Sequence, residues 1–223
     1  MRKRAGAMCA LLICLLLAGC GAQQRQTRTS TTGARATDAQ VLMLAQVLES
    51  DFRRGGAQFT ANLQVDGQPA RATGRVDFRS GRGTALVGPV DPSLGPPRRF
   101  FWTRTTVLAQ ASPGSRHYLR EVPDEHGNPV HAMIGFINLL SAETIDNTAN
   151  ISAATPRLIG QTRIAGAPVD EFRYGRNGDI TLWILTGSGL LRRIATTRAS
   201  GGLTVDLINH DPIKIDLPRT ARG

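Results

Sequence analysis

The chain has 223 residues, 41% hydrophobic and only 5% aromatic. That length favours one domain, and that apolar content excludes wholesale disorder while requiring a core of mainly Leu, Val, Ile and Ala. Lys+Arg number 27 against 17 Asp+Glu, a net charge of +10, and three cysteines exclude a disulfide framework and a cysteine-rich zinc site.

Arg2, Lys3 and Arg4 precede an apolar run over 8–17. The run falls short of the roughly 20 apolar residues that a spanning helix needs. A basic start, a short apolar run and small residues after it make an export signal. Leu17-Ala18-Gly19-Cys20 then resembles the bacterial lipobox. In that motif the cysteine thiol is diacylated and the cysteine becomes the first residue of the mature chain.

Removing residues 1–19 discards Cys9 and Cys14, leaves 204 residues, and lowers the net charge from +10 to +7 through loss of Arg2, Lys3 and Arg4. The predicted mature chain has no disulfide and no catalytic thiol. It is held to the extracytoplasmic side of a membrane by acyl chains on Cys20, since two or three chains anchor stably where one binds only marginally. Export argues against nucleic acid as the partner of this basic chain; anionic head groups or acidic envelope glycans suit it better. Residues 20–36 are rich in Gln, Thr, Ser, Gly and Arg and read as a flexible tether. Its arginines Arg25, Arg28 and Arg35 serve either solvation or attraction to an anionic leaflet.

Thr37-Asp38-Ala39-Gln40 has the form of a capping box. Val41, Leu44, Ala45, Leu48 and Phe52 follow at helical spacing, predicting a helix over 38–53 that Gly55-Gly56 ends. The period then drops to two: Phe59, Ala61, Leu63 and Val65 form one face of a strand, Asp66-Gly67 a hairpin turn, and Ala70, Ala72, Gly74, Val76 and Phe78 the returning face. The small residues on that return either leave room for a ligand or permit close packing. A further strand is expected over 84–87, a Pro/Gly loop over 88–97, and strands over 100–110 and 116–122. Asn128-Pro129 starts a second helix with Val130, Met133, Ile134, Ile137 and Leu140 as its apolar stripe. A helical turn is expected over 142–147. From 159 the pattern is strand and turn only, with Ile180, Leu182 and Ile184 alternating against Thr181 and Trp183, and a last strand over 213–217. About ten strands in consecutive hairpins predict an α+β fold: a strongly curved antiparallel sheet, a half-barrel, with helices covering its concave face.

This order of lipobox, tether, helix, antiparallel meander and internal helical insert resembles the LppX/LprG lipoproteins of mycobacteria, within the LolA/LolB-like class. The residues carrying the resemblance are 160–166, the strand 180–184 with Trp183, Gly189 and Arg192-Arg193, and the insert 135–147. Where the family often has an acidic residue after the tryptophan strand, this chain has Thr186. The resemblance covers about 38–218, leaving 219–223 as a tail. It implies a domain over 37–218 whose concave face and covering helices enclose an apolar cavity for a lipid or glycolipid, carried or presented across the envelope without a cofactor, with an envelope transporter as a possible further partner.

The expected lipid contacts are Phe52, Phe59, Phe78, Met133, Phe136, Ile137, Leu140 and Trp183, although each also suits an ordinary core. No catalytic residue or metal ligand is expected. Ser188 in Gly187-Ser188-Gly189 lacks the outer glycines of a nucleophile elbow. His126 and His131, near Asp124 and Glu125, match no usual metal spacing. The alternative to lipid binding is a lipid-anchored scaffold for a partner envelope protein, marked by a filled core and an exposed apolar patch.

Overall fold

The computed structural model describes residues 33–146, 148–175, 178–197 and 202–218. The export signal, Cys20, the tether up to residue 32, Asn147, residues 176–177 and 198–201, and the tail lie outside them. The described residues belong to one compact unit, Thr32–Gly223.

Its elements in chain order are β1 (Ala34–Arg35), α1 (Asp38–Arg54), β2 (Gly56–Val65), β3 (Gln68–Asp77), β4 (Arg82–Pro89), β5 (Arg98–Trp102), β6 (Val107–Gln110), β7 (Tyr118–Glu121), α2 (Pro129–Asn138), α3 (Thr148–Ala153), β8 (Arg157–Ile164), β9 (Ala167–Tyr174), β10 (Ile180–Leu185), β11 (Leu191–Thr196) and β12 (Leu203–Asn209). The twelve strands form one antiparallel sheet in the order β1-β8-β9-β10-β11-β12-β2-β3-β4-β5-β6-β7. β1 and β7 are its edges, so it does not close into a barrel. Apart from β1 on β8, the sheet is two meanders joined where β12 lies beside β2, which brings the two ends of the domain together.

Local chemistry sets the elements. The Thr37 hydroxyl accepts the Gln40 N–H at 3.3 Å while Gln40 Oε1 accepts the Thr37 N–H at 2.9 Å, which satisfies two of the otherwise unpaired N–H groups at the α1 start. Asp66 and Gly67 both have positive φ, 51° and 74°, as the two-residue turn between β2 and β3 requires.

Four expectations change in detail. The strand expected over 100–110 is two strands, because Thr103 N–H bonds the Thr106 carbonyl at 2.9 Å and folds 103–106 into a turn. The helical turn expected over 142–147 is replaced by α3 from Thr148. Residues 141–146 instead bond to α1, with Ala142 N–H on the Leu48 carbonyl and Asp146 N–H on the Ala45 carbonyl. Residues 213–217 form no strand. They lie between Pro212 and Pro218, which cannot donate to a ladder, although Ile215 is buried. Ala34–Arg35, read as tether, pair with Leu158 and Arg157 on β8.

The register sorts side chains between two faces. Phe59 lies opposite Leu207 and Gly74, Ala61 opposite Val205 and Ala72, Ala85 opposite Phe100, and Val205 opposite Ile194. All belong to one apolar cluster except Gly74, which has no side chain, and α1 adds Val41, Leu44 and Val47 to it while α2 adds Val130, Met133, Ile134 and Ile137. The helix α2 reaches β2, β5 through Trp102 Nε1–H to Asn138 Oδ1 (3.1 Å), and β7 through His131 to Glu121 (3.0 Å). In a flat sheet β2 and β7 would be about 24 Å apart, whereas a ten-residue helix is only about 15 Å long. The sheet therefore curves toward α2.

Candidate functional site

The middle of strands β2 to β6 is filled, while at their ends Ala70, Val87, Gly88 and Phe100 border an open cleft of about 580 Å³ that reaches Glu121 and Val130 at the start of α2. Phe59, Phe78, Trp102, Met133 and Ile137 are each at most 2% exposed. The small residues of β3 and β4 serve the aromatic rings. A Cβ on Gly74 would meet the Phe59 ring at 2.6 Å, and one on Gly83 would run into the Trp102 indole. The two rings pack against each other with centroids 6.3 Å apart. At Gly74 and Gly83 the small residues provide close packing, whereas Ala70 and Gly88 border the cleft of about 580 Å³.

More space opens along α2 to its C-terminal end. An apolar pocket of about 160 Å³ lies among α1, the end of α2, α3, β10 and β11, lined by Leu48, Leu140, Leu182, Leu191 and others. It shares Phe136, Leu139 and Ile180 with an open cleft of about 1340 Å³. The cleft runs between α2 and the ends of β2, β10, β11 and β12, past Leu63, Met133 and Leu203, to a polar rim of Gln64, Asp66, Glu125 and His126. The pocket alone falls below the about 300–1,000 Å³ of small-molecule sites. Pocket and cleft together suit a ligand with a narrow apolar part and a polar part at the rim. Leu139 marks the passage and is 69% exposed, a wet position for a leucine on a helix end.

The eight expected contacts thus separate. Phe136, Met133 and Leu140 line the pocket or the cleft. Phe59, Phe78 and Ile137 are in the filled core, and Phe52 packs half-buried against it. Trp183 stands on the opposite face of the sheet, opposite Glu171 and Arg193. Its indole N–H donates to Glu171 Oε2 at 3.1 Å, and the Arg193 guanidinium lies 5.7 Å from its ring centroid. Leu139, Ile180 and Leu203 also line the opening. Ile180 and Leu203 were legible as inward positions of their strands; Leu139 falls just beyond the helical stripe.

His131 is engaged in structure. It is buried; its Nδ1 accepts the Asp124 N–H at 3.1 Å, so its Nε2 carries the proton toward Glu121. Among the described residues there is no group of three or more His, Cys, Asp or Glu placed to hold a metal. No helix among them is long and apolar enough to cross a membrane.

A second polar feature lies under α1. Asp51 is fully buried, with Oδ1 3.3 Å from His210 Nε2 and accepting the Leu191 N–H at 3.4 Å, while Oδ2 has no hydrogen-bond partner. Burial pushes its carboxyl up to about 6 from 3.8, against the opposing pull of His210 and the Leu191 N–H. A carboxyl raised on folding gives stability that is full below pH 3.8 and is lost as pH rises through 6. Asp51→Asn keeps the acceptor and removes the buried charge. It is expected to stabilise the protein by about 2 kcal/mol at pH 7, a fraction of the shift at 1.36 kcal/mol per unit, and to change little at pH 4. Thermal unfolding of both chains across that range checks it.

No family model and no curated protein matches the chain. Among solved structures it is similar to an uncharacterized conserved protein from Thermus thermophilus, with 10% identity, 80% of this chain and 90% of that one covered, and a TM-score of 0.44. It is also similar to a LolA superfamily protein from Nitrosomonas europaea, with 9% identity, 81% and 96% covered, and a TM-score of 0.32. A DUF1329 family protein from Desulfovibrio piger is similar with 8% identity, 77% and 91% covered, and a TM-score of 0.33.

Proposed function

We propose that this chain is a lipid-anchored protein of the cell envelope that holds an acyl chain of a lipid or glycolipid in the pocket beside α2, with the polar part of the ligand in the cleft. The observation that carries the reading is the junction of an apolar pocket with a larger, polar-rimmed cleft at Phe136, Leu139 and Ile180. Each methylene moved from water into such a site contributes about 0.8 kcal/mol, and the rim residues leave a head group in water. The lipobox-like Leu17 to Cys20 supports an acyl anchor on Cys20 and an extracytoplasmic location. The features shared with LppX/LprG lipoproteins support carriage or presentation of the ligand, with an envelope transporter as the partner that loads or unloads it. No chemistry is proposed: the protein binds and releases.

The filled core around Phe59, Phe78 and Trp102, with Leu139 exposed at the end of α2, favours the second reading, a lipid-anchored scaffold whose partner protein covers the cleft. Titration with a fluorescent fatty acid separates the two. Saturable uptake at about one per chain, displaced by unlabelled lipid, supports the first reading; no uptake supports the second. The anchor is tested apart from this by the mass of Cys20 in a membrane fraction. An unmodified thiol refutes it.

A further inference from the structure

The outward face of the sheet is divided by charge. On the β9–β12 side its charges are paired: Arg193 grips Asp206 across strands through two bonds of 2.7 and 3.1 Å, and Arg173 lies 3.8 Å from Glu171 on the same strand. On the β3–β7 side they are not. The register puts Arg71, Arg75, Arg82, Arg99 and Arg120 on the outward positions of these strands, all exposed. The only carboxylate among those positions, Asp77, is at the strand end and is occupied by the N–H groups of Arg79 and Ser80 and the Ser80 hydroxyl. Among the described residues the Arg71 and Arg120 side chains bond only neutral groups, Asn62 and Thr106. Between the arginines stand half-buried Phe101 and Tyr118, edge to face at 5.4 Å. Arginines spread over a broad sheet around an amphipathic aromatic pair match a plane of phosphates with apolar tails behind it.

We propose that the outward face of β3–β7 docks on an anionic phospholipid surface. Arginine attraction to such a surface adds, and docking there orients the cleft on the opposite face away from the bilayer. The inference rests on the membrane-side placement proposed above for its setting only. Its test needs neither acylation of Cys20 nor a bound lipid, so failure of one is distinguishable from failure of the other.

The test is co-sedimentation of the unacylated chain 20–223, which contains the whole described unit, with vesicles of phosphatidylcholine alone or mixed with phosphatidylglycerol. The result expected is binding to the mixed vesicles only, lost in high salt. At about fivefold per arginine, the combined Arg71→Gln, Arg75→Gln, Arg99→Gln and Arg120→Gln variant should bind about a hundredfold more weakly or worse. A chain losing the same charge elsewhere, through Arg54→Gln, Arg163→Gln, Arg173→Gln and Lys214→Gln, should keep most of its affinity. Thermal unfolding confirms that both variants fold. Equal binding to both vesicles, or equal loss in the two variants, overturns the proposal; in that event the face is left to an acidic protein or to solvent.

Discussion

Replacing Trp102 by alanine is expected to lower the unfolding free energy by about 3–5 kcal/mol, the range for deleting a fully buried large aromatic. Burial and two contacts are lost together. Trp102 is fully buried, it packs on Phe59, and its indole N–H holds Asn138 at the end of α2. Without the indole, the Asn138 oxygen loses its donor and β5 loses its tie to the helix. For a domain of this size the melting temperature should fall by about 10 °C. Trp102→Phe keeps much of the volume and should recover part of the loss. Trp183→Ala gives the contrast: that ring is half-buried on the outer face, with one hydrogen bond and one cation–π contact, and should cost about 1 kcal/mol. Urea unfolding of the three variants checks the order. A Trp183 variant less stable than the Trp102 variant contradicts the assignment of faces.

The second large effect is on binding. Phe136→Asp with Leu139→Asp sets two carboxylates where pocket and cleft meet. An acyl chain passing that point loses the burial of about three methylenes, roughly 2 kcal/mol at 0.8 each, before repulsion or desolvation is counted. The expected result is at least about thirtyfold weaker uptake of a fluorescent fatty acid. Leu139 is exposed and Phe136 only half-buried, so the fold should survive. Val122→Asp, at a position 84% exposed and away from the cleft, should bind like the parent chain. Undiminished uptake by the double variant would place the ligand elsewhere.

Much of the fold is legible in local pattern. Period-two alternation gives the hairpin of β2 and β3, Thr37 and Gln40 give the start of α1, and Asn128-Pro129 gives the start of α2, whose Asn128 side chain accepts the Val130 N–H at 2.9 Å. What local pattern cannot give is the return of β12 to β2, because that pairing joins segments at opposite ends of the domain through neither turn nor period. The site was legible only in part. Aromatic and flexible apolar residues suit a lipid site by type, yet type does not say which of them line it. The alternation of Leu182 and Ile184 against Trp183 already places the tryptophan outward, while Phe100 and Trp102 alternate inward against Arg99 and Phe101. Face outranks residue type. Asp51 is illegible for the converse reason: it occupies the apolar stripe seven residues after Leu44, where a carboxylate reads as solvent-facing, and its partner His210 is distant in sequence.

The pocket and cleft beside α2 should hold a lipid that survives purification. Native mass spectrometry of the chain from residue 20, purified from a lipid-rich bacterial host and extracted in parallel with organic solvent, tests it most directly. The result expected is an acylated species at about one per chain, absent from the Phe136→Asp, Leu139→Asp double variant. A ligand-free parent chain that also fails to take up added fatty acid would contradict it.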